Sequence, residues 1–138
     1  GLSIDYRAST AEDLAASGAQ FDVVCAMEVL EHVVDMASFV ATAGSMVKPG
    51  GWFFAATLNR TLKSFALAIV GAEYVLGWVP KGTHQWEKFI TPAELEDAME
   101  DAGLMAQARS GVVFQPLRNR WSASRDTEVN YMLSARRL

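Results

Sequence analysis

The sequence has a single cysteine, Cys25, which rules out an intramolecular disulfide and fits a reducing compartment. Cys25 lies inside an apolar run, so it reads as a small buried hydrophobe rather than a reactive thiol. Positive charge is not in excess: 12 Lys and Arg face 16 Asp and Glu, for a net charge of -4. A chain of this balance lacks the basic footprint of a nucleic-acid binder, and its charges form no long single-sign block. No apolar run reaches the roughly 18 residues needed to span a bilayer. No basic segment followed by an apolar core opens the chain, so nothing points to secretion. Internal repeats and low-complexity tracts are absent. An initiating Met is missing too: the chain starts directly in the alternating run Leu2 to Arg7, which predicts a strand, and so it reads as a piece of something longer.

What is present suffices for one compact core, since 51% of the 138 residues are hydrophobic. Thr10 to Ser17 predicts a short helix, capped by Ser9 or Thr10 and stopped by Gly18. Phe21 to Ala26 is nearly all apolar, the pattern of a strand buried on both faces. Asp35 caps a helix expected to run to about Lys48, with Met36, Phe39, Val40, Ala43, Met46 and Val47 on one stripe. Pro49-Gly50-Gly51 is expected to end it, and Trp52 to Leu58 follows as a buried strand, completing a βαβ unit. Ser64 to Val79 predicts a helix apolar nearly all round, with Glu73 its one charge. Thr91-Pro92-Ala-Glu94 opens a further helix with a capping box, ended by Gly103. Two last strands, about Met105 to Phe114 and Glu128 to Ala135, are joined by the polar stretch 118–127, a length that suits an antiparallel edge pair. The fold class is therefore α/β: a mostly parallel sheet with an antiparallel C-terminal edge pair.

Chemistry concentrates in the run Met27-Glu28-Val-Leu-Glu31-His32, at the carboxyl end of a predicted strand, where open α/β sheets bind ligands. If a helical turn begins at Glu28, then Glu28, Glu31 and His32 share one face and converge. Two carboxylates and an imidazole suit Mg²⁺, Mn²⁺, Fe²⁺ or Zn²⁺. The plainer alternative is a pair of acids favoured by a helix dipole, beside a surface histidine. His84, in the loop Lys81-Gly-Thr-His84, is either a general base or substrate contact, or simply a loop imidazole; Lys81 and Lys88 read as solvated. The apolar helix 64–79 has three readings: core, the wall of a greasy pocket, or a face lying on a membrane, with Trp78 and Lys81 suited to an interface.

With these pieces in place, the chain resembles part of a class I S-adenosylmethionine-dependent methyltransferase, and within that class the ubiquinone-biosynthesis O-methyltransferases. The matching stretches are Phe21-Asp-Val-Val-Cys-Ala-Met-Glu-Val-Leu-Glu-His-Val33, Val47-Lys-Pro-Gly-Gly51, Thr57-Leu-Asn-Arg60, Val70-Gly-Ala-Glu-Tyr74, Val79-Pro-Lys-Gly-Thr-His84, Lys88-Phe-Ile and Val129-Asn-Tyr-Met132. Lys-Pro-Gly-Gly is common among methyltransferases, whereas Pro-Lys-Gly-Thr-His together with Met-Glu-x-Leu-Glu-His is specific.

The resemblance implies that residues 1–138 are the C-terminal portion of one Rossmann-like domain, N-terminally truncated, with an inserted apolar helix and loop at about 60–89. The parts it lacks are the first strand, its glycine-rich turn and the second strand. The implied reaction is methyl transfer from S-adenosylmethionine to a phenolic hydroxyl of a polyprenylated catechol or demethylubiquinol. Met27 would line the cofactor pocket, Ser9-Thr10-Ala11-Glu12 would lie against the adenine, and Glu28, Glu31 and His32 match the family's divalent-metal residues, usually for Mg²⁺. Such a metal lowers the phenol's pKa. The inserted helix would receive the prenyl tail at a membrane surface. That places the protein in the cytoplasm at the inner membrane of a bacterium, or on the matrix side of a mitochondrial one, with a ubiquinone-biosynthesis complex as partner. These residues alone are expected to be inactive. The competing reading from another class is a non-catalytic module for membrane association or complex assembly on a methyltransferase-like core.

Overall fold

The computed structural model describes residues 1–67, 85–115 and 118–138. Residues 1–10 are exposed and irregular, so the alternating run Leu2 to Arg7 is not a strand here. Alternation supplies a face but not a partner, and no strand among the described residues pairs with it. Helix α1 (Ala11–Ala16) is capped by Thr10, whose side chain accepts the Asp13 N–H at 3.1 Å. Gly18, at φ 76°, then turns the chain into strand β1 (Phe21–Met27).

Helix α2 (Met36–Ser45) is capped by Asp35, which accepts the Ser38 N–H at 3.2 Å. It stops before Lys48 because strand β2 (Val47–Leu58) begins sooner than its Trp suggests. Pro49-Gly50-Gly51 is thus part of that strand, in a bulge: Phe21 pairs with Val47, but Val23 already pairs with Trp52. Only glycine fits at position 51, since a Cβ there would lie 2.8 Å from the Asp22 carbonyl oxygen. Lys48 ties the bulge down by pairing with Asp22 at 3.0 Å.

A short helical turn, α3 (Leu62–Ser64), leads toward 65–67, and residues 68–84 of the expected apolar helix and loop lie outside the described residues. Helix α4 (Pro92–Asp101) opens with the expected capping box, and Gly103 at φ 72° ends it. Strands β3 (Leu104–Gln115), β4 (Arg120–Ser124) and β5 (Asn130–Arg137) complete the chain.

The sheet order is β1-β2-β5-β3-β4. β1 and β2 are parallel, while β5 runs antiparallel to both β2 and β3, and β4 antiparallel to β3. The chain is α/β with antiparallel C-terminal strands, as expected. Three details differ among the described strands: β1–β2 is the one parallel pair, so the sheet is mixed rather than mostly parallel; the polar stretch holds a strand of its own, β4; and β5 sits inside the sheet rather than at its edge.

One face of the sheet carries the core. Phe53, Ala55, Leu133 and Ala135 meet Val40 and Ala43 of α2 and Leu95 and Met99 of α4. Burying each of the larger side chains contributes about 1.5–3 kcal/mol. The opposite face carries Val23, Cys25 and Met27 beside Trp52 and Phe54, and then Ser134 and Arg136. β1 was expected to be buried on both faces; instead Val23 is 51% exposed, and Cys25 is exposed too. Apolar content predicted burial of β1, yet only its Val24 and Ala26 face a packed layer, and no helix of the described residues covers the other side.

The α4 capping box is reinforced from outside. The Thr91 N–H and hydroxyl both donate to Glu94 at 2.8 Å, and Arg60 pairs with the same carboxylate. Partial burial works against the Glu94 charge, but Thr91 and Arg60 outweigh it and hold the carboxyl below its ordinary value. Such a depressed group stabilises the fold above pH 4.5, and this contribution disappears as pH falls through the folded-state value. Thr91→Ala is expected to lower the unfolding free energy by about 1 kcal/mol. Glu94→Gln should show a deficit against wild type at neutral pH that closes on acidification. Urea titrations between about pH 7 and pH 3 read both effects.

Candidate functional site

The site is built where β1 ends. Glu28 is the first residue past the strand, and its N–H still donates to the Ala56 carbonyl at 2.9 Å. Its backbone then turns into the left-handed region at φ 54°. For a residue with a Cβ this costs on the order of 1–3 kcal/mol, and such strain clusters at functional positions. The chain continues through Val29 into a single 3₁₀ turn, Leu30–His32, anchored by Leu30 at 2% exposure.

This turn sends its two polar side chains different ways. Glu31 points inward, 4% exposed, and accepts a 2.8 Å hydrogen bond from the Thr57 hydroxyl of β2. His32 is exposed. The common face expected for Glu28, Glu31 and His32 required a helical turn beginning at Glu28, whereas Glu28 precedes the turn with left-handed backbone. Among the described residues, no three His, Cys, Asp or Glu side chains gather closely enough to hold a metal ion. The three residues therefore do not fit a preformed divalent-cation site.

The expected cofactor residues fall beside the outer edge of β1. Thr10 and Ala11 line a cavity of about 370 Å³, with Val23, Cys25 and Ala26 of the strand and Phe39 of α2 opposite. That volume lies within the roughly 300–1,000 Å³ of small-ligand clefts. Met27 lies beyond this cavity, at the strand's end, 45% exposed. A second cavity of about 290 Å³ opens past the carboxyl ends of β1 and β2, between Val33 and Met36 on one side and Phe89 and Ile90 on the other. Arg60 and Lys88 line it as well, with Lys88 exposed, as expected of a solvated lysine.

Tyr131 lies close to this cavity, 1% exposed, its hydroxyl donating to the Ile90 carbonyl at 3.0 Å. Burial first, and then the negative charges of Glu94, Glu96 and Glu31, push its phenol far above its ordinary range. It stays neutral and serves as a structural hydrogen-bond donor, which removes it as a candidate base.

The stretch that opens the apolar segment is firmly tethered. Asn59 donates to the Thr127 carbonyl at 2.8 Å, and Lys63 pairs with Asp126 and Glu128 at 2.6 and 2.9 Å. From this base Leu62, Phe65 and Leu67 project, 81%, 42% and 54% exposed. Lys81, His84 and the rest of the expected helix to Val79 lie outside the described residues.

Thr57 and Arg60 enter the sequence reading only within the family-like stretch Thr57-Leu-Asn-Arg60, with no role of their own. Thr57 carries a signal in retrospect: a hydroxyl inside the apolar strand Phe53-Phe-Ala-Ala-Thr57-Leu58 must find a buried partner. Arg60 carries none, because its partner Glu94 is remote in sequence and already explained by the capping box.

Comparison with known proteins gives a consistent picture. Residues 4–108 match a family model described as a methyltransferase domain. A ubiquinone biosynthesis O-methyltransferase of Methylobacterium sp. (strain 4-46) is 64% identical over 137 residues, covering 99% of this chain and 55% of that protein. The protein of the same name from Parvibaculum lavamentivorans is 59% identical, with 99% and 54% covered. The chain thus spans about half the length of the curated relatives it matches. Among solved structures, an O-methyltransferase family protein from Burkholderia thailandensis superposes with a TM-score of 0.60 at 18% identity, covering 96% of this chain and 35% of that one. Magnesium protoporphyrin IX methyltransferase from Synechocystis PCC 6803, solved with SAH bound, gives 0.58 at 20% identity, with 91% and 49% covered. At such identities the structures establish the fold alone.

The Glu31–Thr57 contact can be tested directly. Thr57→Val leaves a buried carboxylate without its donor and is expected to cost about 1.5–3 kcal/mol. The pair Thr57→Val with Glu31→Leu should cost less than the two single changes added together, as a double-mutant cycle in urea would record.

Proposed function

The chain belongs to the methyltransferase-domain family, and on that premise we propose that it forms the acceptor side of an S-adenosylmethionine-dependent O-methyltransferase of ubiquinone biosynthesis. The observation that carries this reading is the 64% identity, across 99% of the chain, to a relative named for that reaction. It also favours an enzyme over a module for assembly alone.

S-adenosylmethionine, when bound, supplies an activated methyl group. In this reading Thr10 and Ala11 form the wall that holds its adenosine end beside β1, and Met27 makes an apolar contact at the strand's end. The acceptor is a polyprenylated phenol whose ring takes the cavity between Met36 and Phe89. Lys88 there can hydrogen-bond the phenolic oxygen, while Arg60 is already paired with Glu94, and Glu87 and Glu94 leave the lining without net charge. Glu28, held by strained backbone at the carboxyl end of β1, sets the polar border between the two sites. No step is routed through a divalent ion, since Glu28, Glu31 and His32 do not gather into a cluster of three ligands here.

The prenyl tail follows the apolar segment that starts at the exposed Leu62, Phe65 and Leu67 and extends through Val79, at the surface of a membrane. No helix of the described residues is long and apolar enough to cross one. The setting proposed, from the reaction of the relatives and the exposed Leu62, Phe65 and Leu67, is peripheral, at the cytoplasmic face of the inner membrane, with other ubiquinone-biosynthesis proteins as neighbours.

The decisive experiment uses a protein of the relatives' length that contains these residues. Labelled methyl should pass from S-adenosylmethionine to a catechol bearing a short prenyl chain; tight cofactor binding with no methylated catechol would sink the reading. Met27→Asp should weaken cofactor binding by about tenfold or more, because it buries a charge against the ligand. Mg²⁺ titrated into the substrate-free protein by calorimetry should bind no tighter than about 1 mM, a weak open site rather than a built one.

A further inference from the structure

The cavity past the carboxyl ends of β1 and β2 is apolar where it is buried, at Leu30, Phe89 and Ile90, and charged where it opens. Its charges are Arg60 and Lys88 against Glu87 and Glu94. Two of these four are bound to each other: Arg60 reaches from the end of β2 to the start of α4 and donates to Oε1 of Glu94. The helix does not need that bond. Oε2 of the same carboxylate already takes the Thr91 N–H and hydroxyl at 2.8 Å, which closes the capping box. A guanidinium at the mouth of an apolar cavity is a ready receptor for a carboxylate, because its planar fork matches two oxygens. Here a carboxylate of the protein itself sits in that place. Partial burial opposes its charge, yet Thr91 and Arg60 outweigh the burial, so Glu94 stays ionised at neutral pH.

On the reading of this cavity as the acceptor site, we propose that Glu94 is a specificity-determining residue: by occupying Arg60 it makes the cavity select phenols without a ring carboxylate over phenols that carry one. A carboxylated ring meets Glu87 and Glu94 as like charges, and it gains Arg60 only by displacing Glu94. Lys88 attracts such a ring, but Glu87 precedes Lys88 in the same 3₁₀ turn and offsets that attraction. An uncharged catechol incurs neither cost and keeps Lys88 for its phenolic oxygen. Discrimination of this kind comes from what repels the wrong ligand as well as from what holds the right one. An ion pair of structural value only would tie β2 to α4 and leave the choice of acceptor untouched.

Glu94→Gln separates the two roles of the carboxylate, because the amide oxygen still accepts from Thr91 while the negative charge on Arg60 is gone. In a protein of the relatives' length that contains these residues, kcat/KM is compared for a catechol bearing a short prenyl chain and for the matching prenylated dihydroxybenzoate. Wild type should prefer the catechol by about tenfold or more. Glu94→Gln should shrink that preference by about fivefold or more, and adding Arg60→Gln should cancel most of the gain, as members of one interaction do. A ratio between two acceptors does not depend on how much of each variant folds. An unchanged ratio in Glu94→Gln would overturn the proposal. So would equal use of both acceptors by wild type, or a gain that survives the loss of Arg60. If neither acceptor is methylated, the proposed reaction fails, and calorimetric Kd values for the same two compounds still decide the selectivity.

Discussion

Strand β2 is hydrogen-bonded along both edges, and every other element takes its place from that constraint. On one side its pairing with β1 is parallel, which obliges the chain to cross back through α2. On the other side its pairing with β5 is antiparallel, and β5 in turn positions β3 and β4. The residues that close the core, Phe53 and Ala55, and the residue that holds the site loop, Thr57, alternate along the same side of this strand. Core and site are thus two stretches of one ladder.

Much of this was legible because local rules were obeyed. The caps at Thr10, Asp35 and Thr91 and the stop at Gly103 are short-range features, fixed within a turn of the residues that reveal them. Misreadings came where partners are distant. Cys25 sits in an apolar run that looks buried, but burial depends on which layers exist, and one face has none among the described residues. Pro49-Gly50-Gly51 looks like a helix stop and is a strand bulge, because the Asp22 backbone approaches Gly51 across the sheet. β4 was hidden by polarity, since an edge strand can be polar and still complete a hairpin.

The site shows the same division. That the end of β1 is its centre could be read from the strand and the acids that follow it. The relation among those acids could not, because it turns on one dihedral angle at Glu28 and on whether a carboxylate faces water or a hydroxyl from another strand. Spacing sees three ligands on one face; the backbone separates them. Burying Glu31 carries a desolvation cost that the Thr57 hydroxyl offsets, and the return is a loop fixed against β2 rather than free to drift. The strain at Glu28 persists because both sides of it are held: the β1–β2 ladder before and the Leu30 anchor after.

The place of β5 in the sheet also bears on how the molecule comes into being. β5 spans Asn130–Arg137, yet it lies between β2 and β3, both of which leave the ribosome before it. Until β5 emerges, roughly a second or more after β3 at ordinary rates of synthesis, β2 and β3 have no strand to join them. Two apolar edges then wait side by side in a nascent chain, and the sheet closes in one late event. A ribosome that stalls in this interval holds β2 and β3 with the edges that β5 would pair left open, and unpaired strand edges favour aggregation.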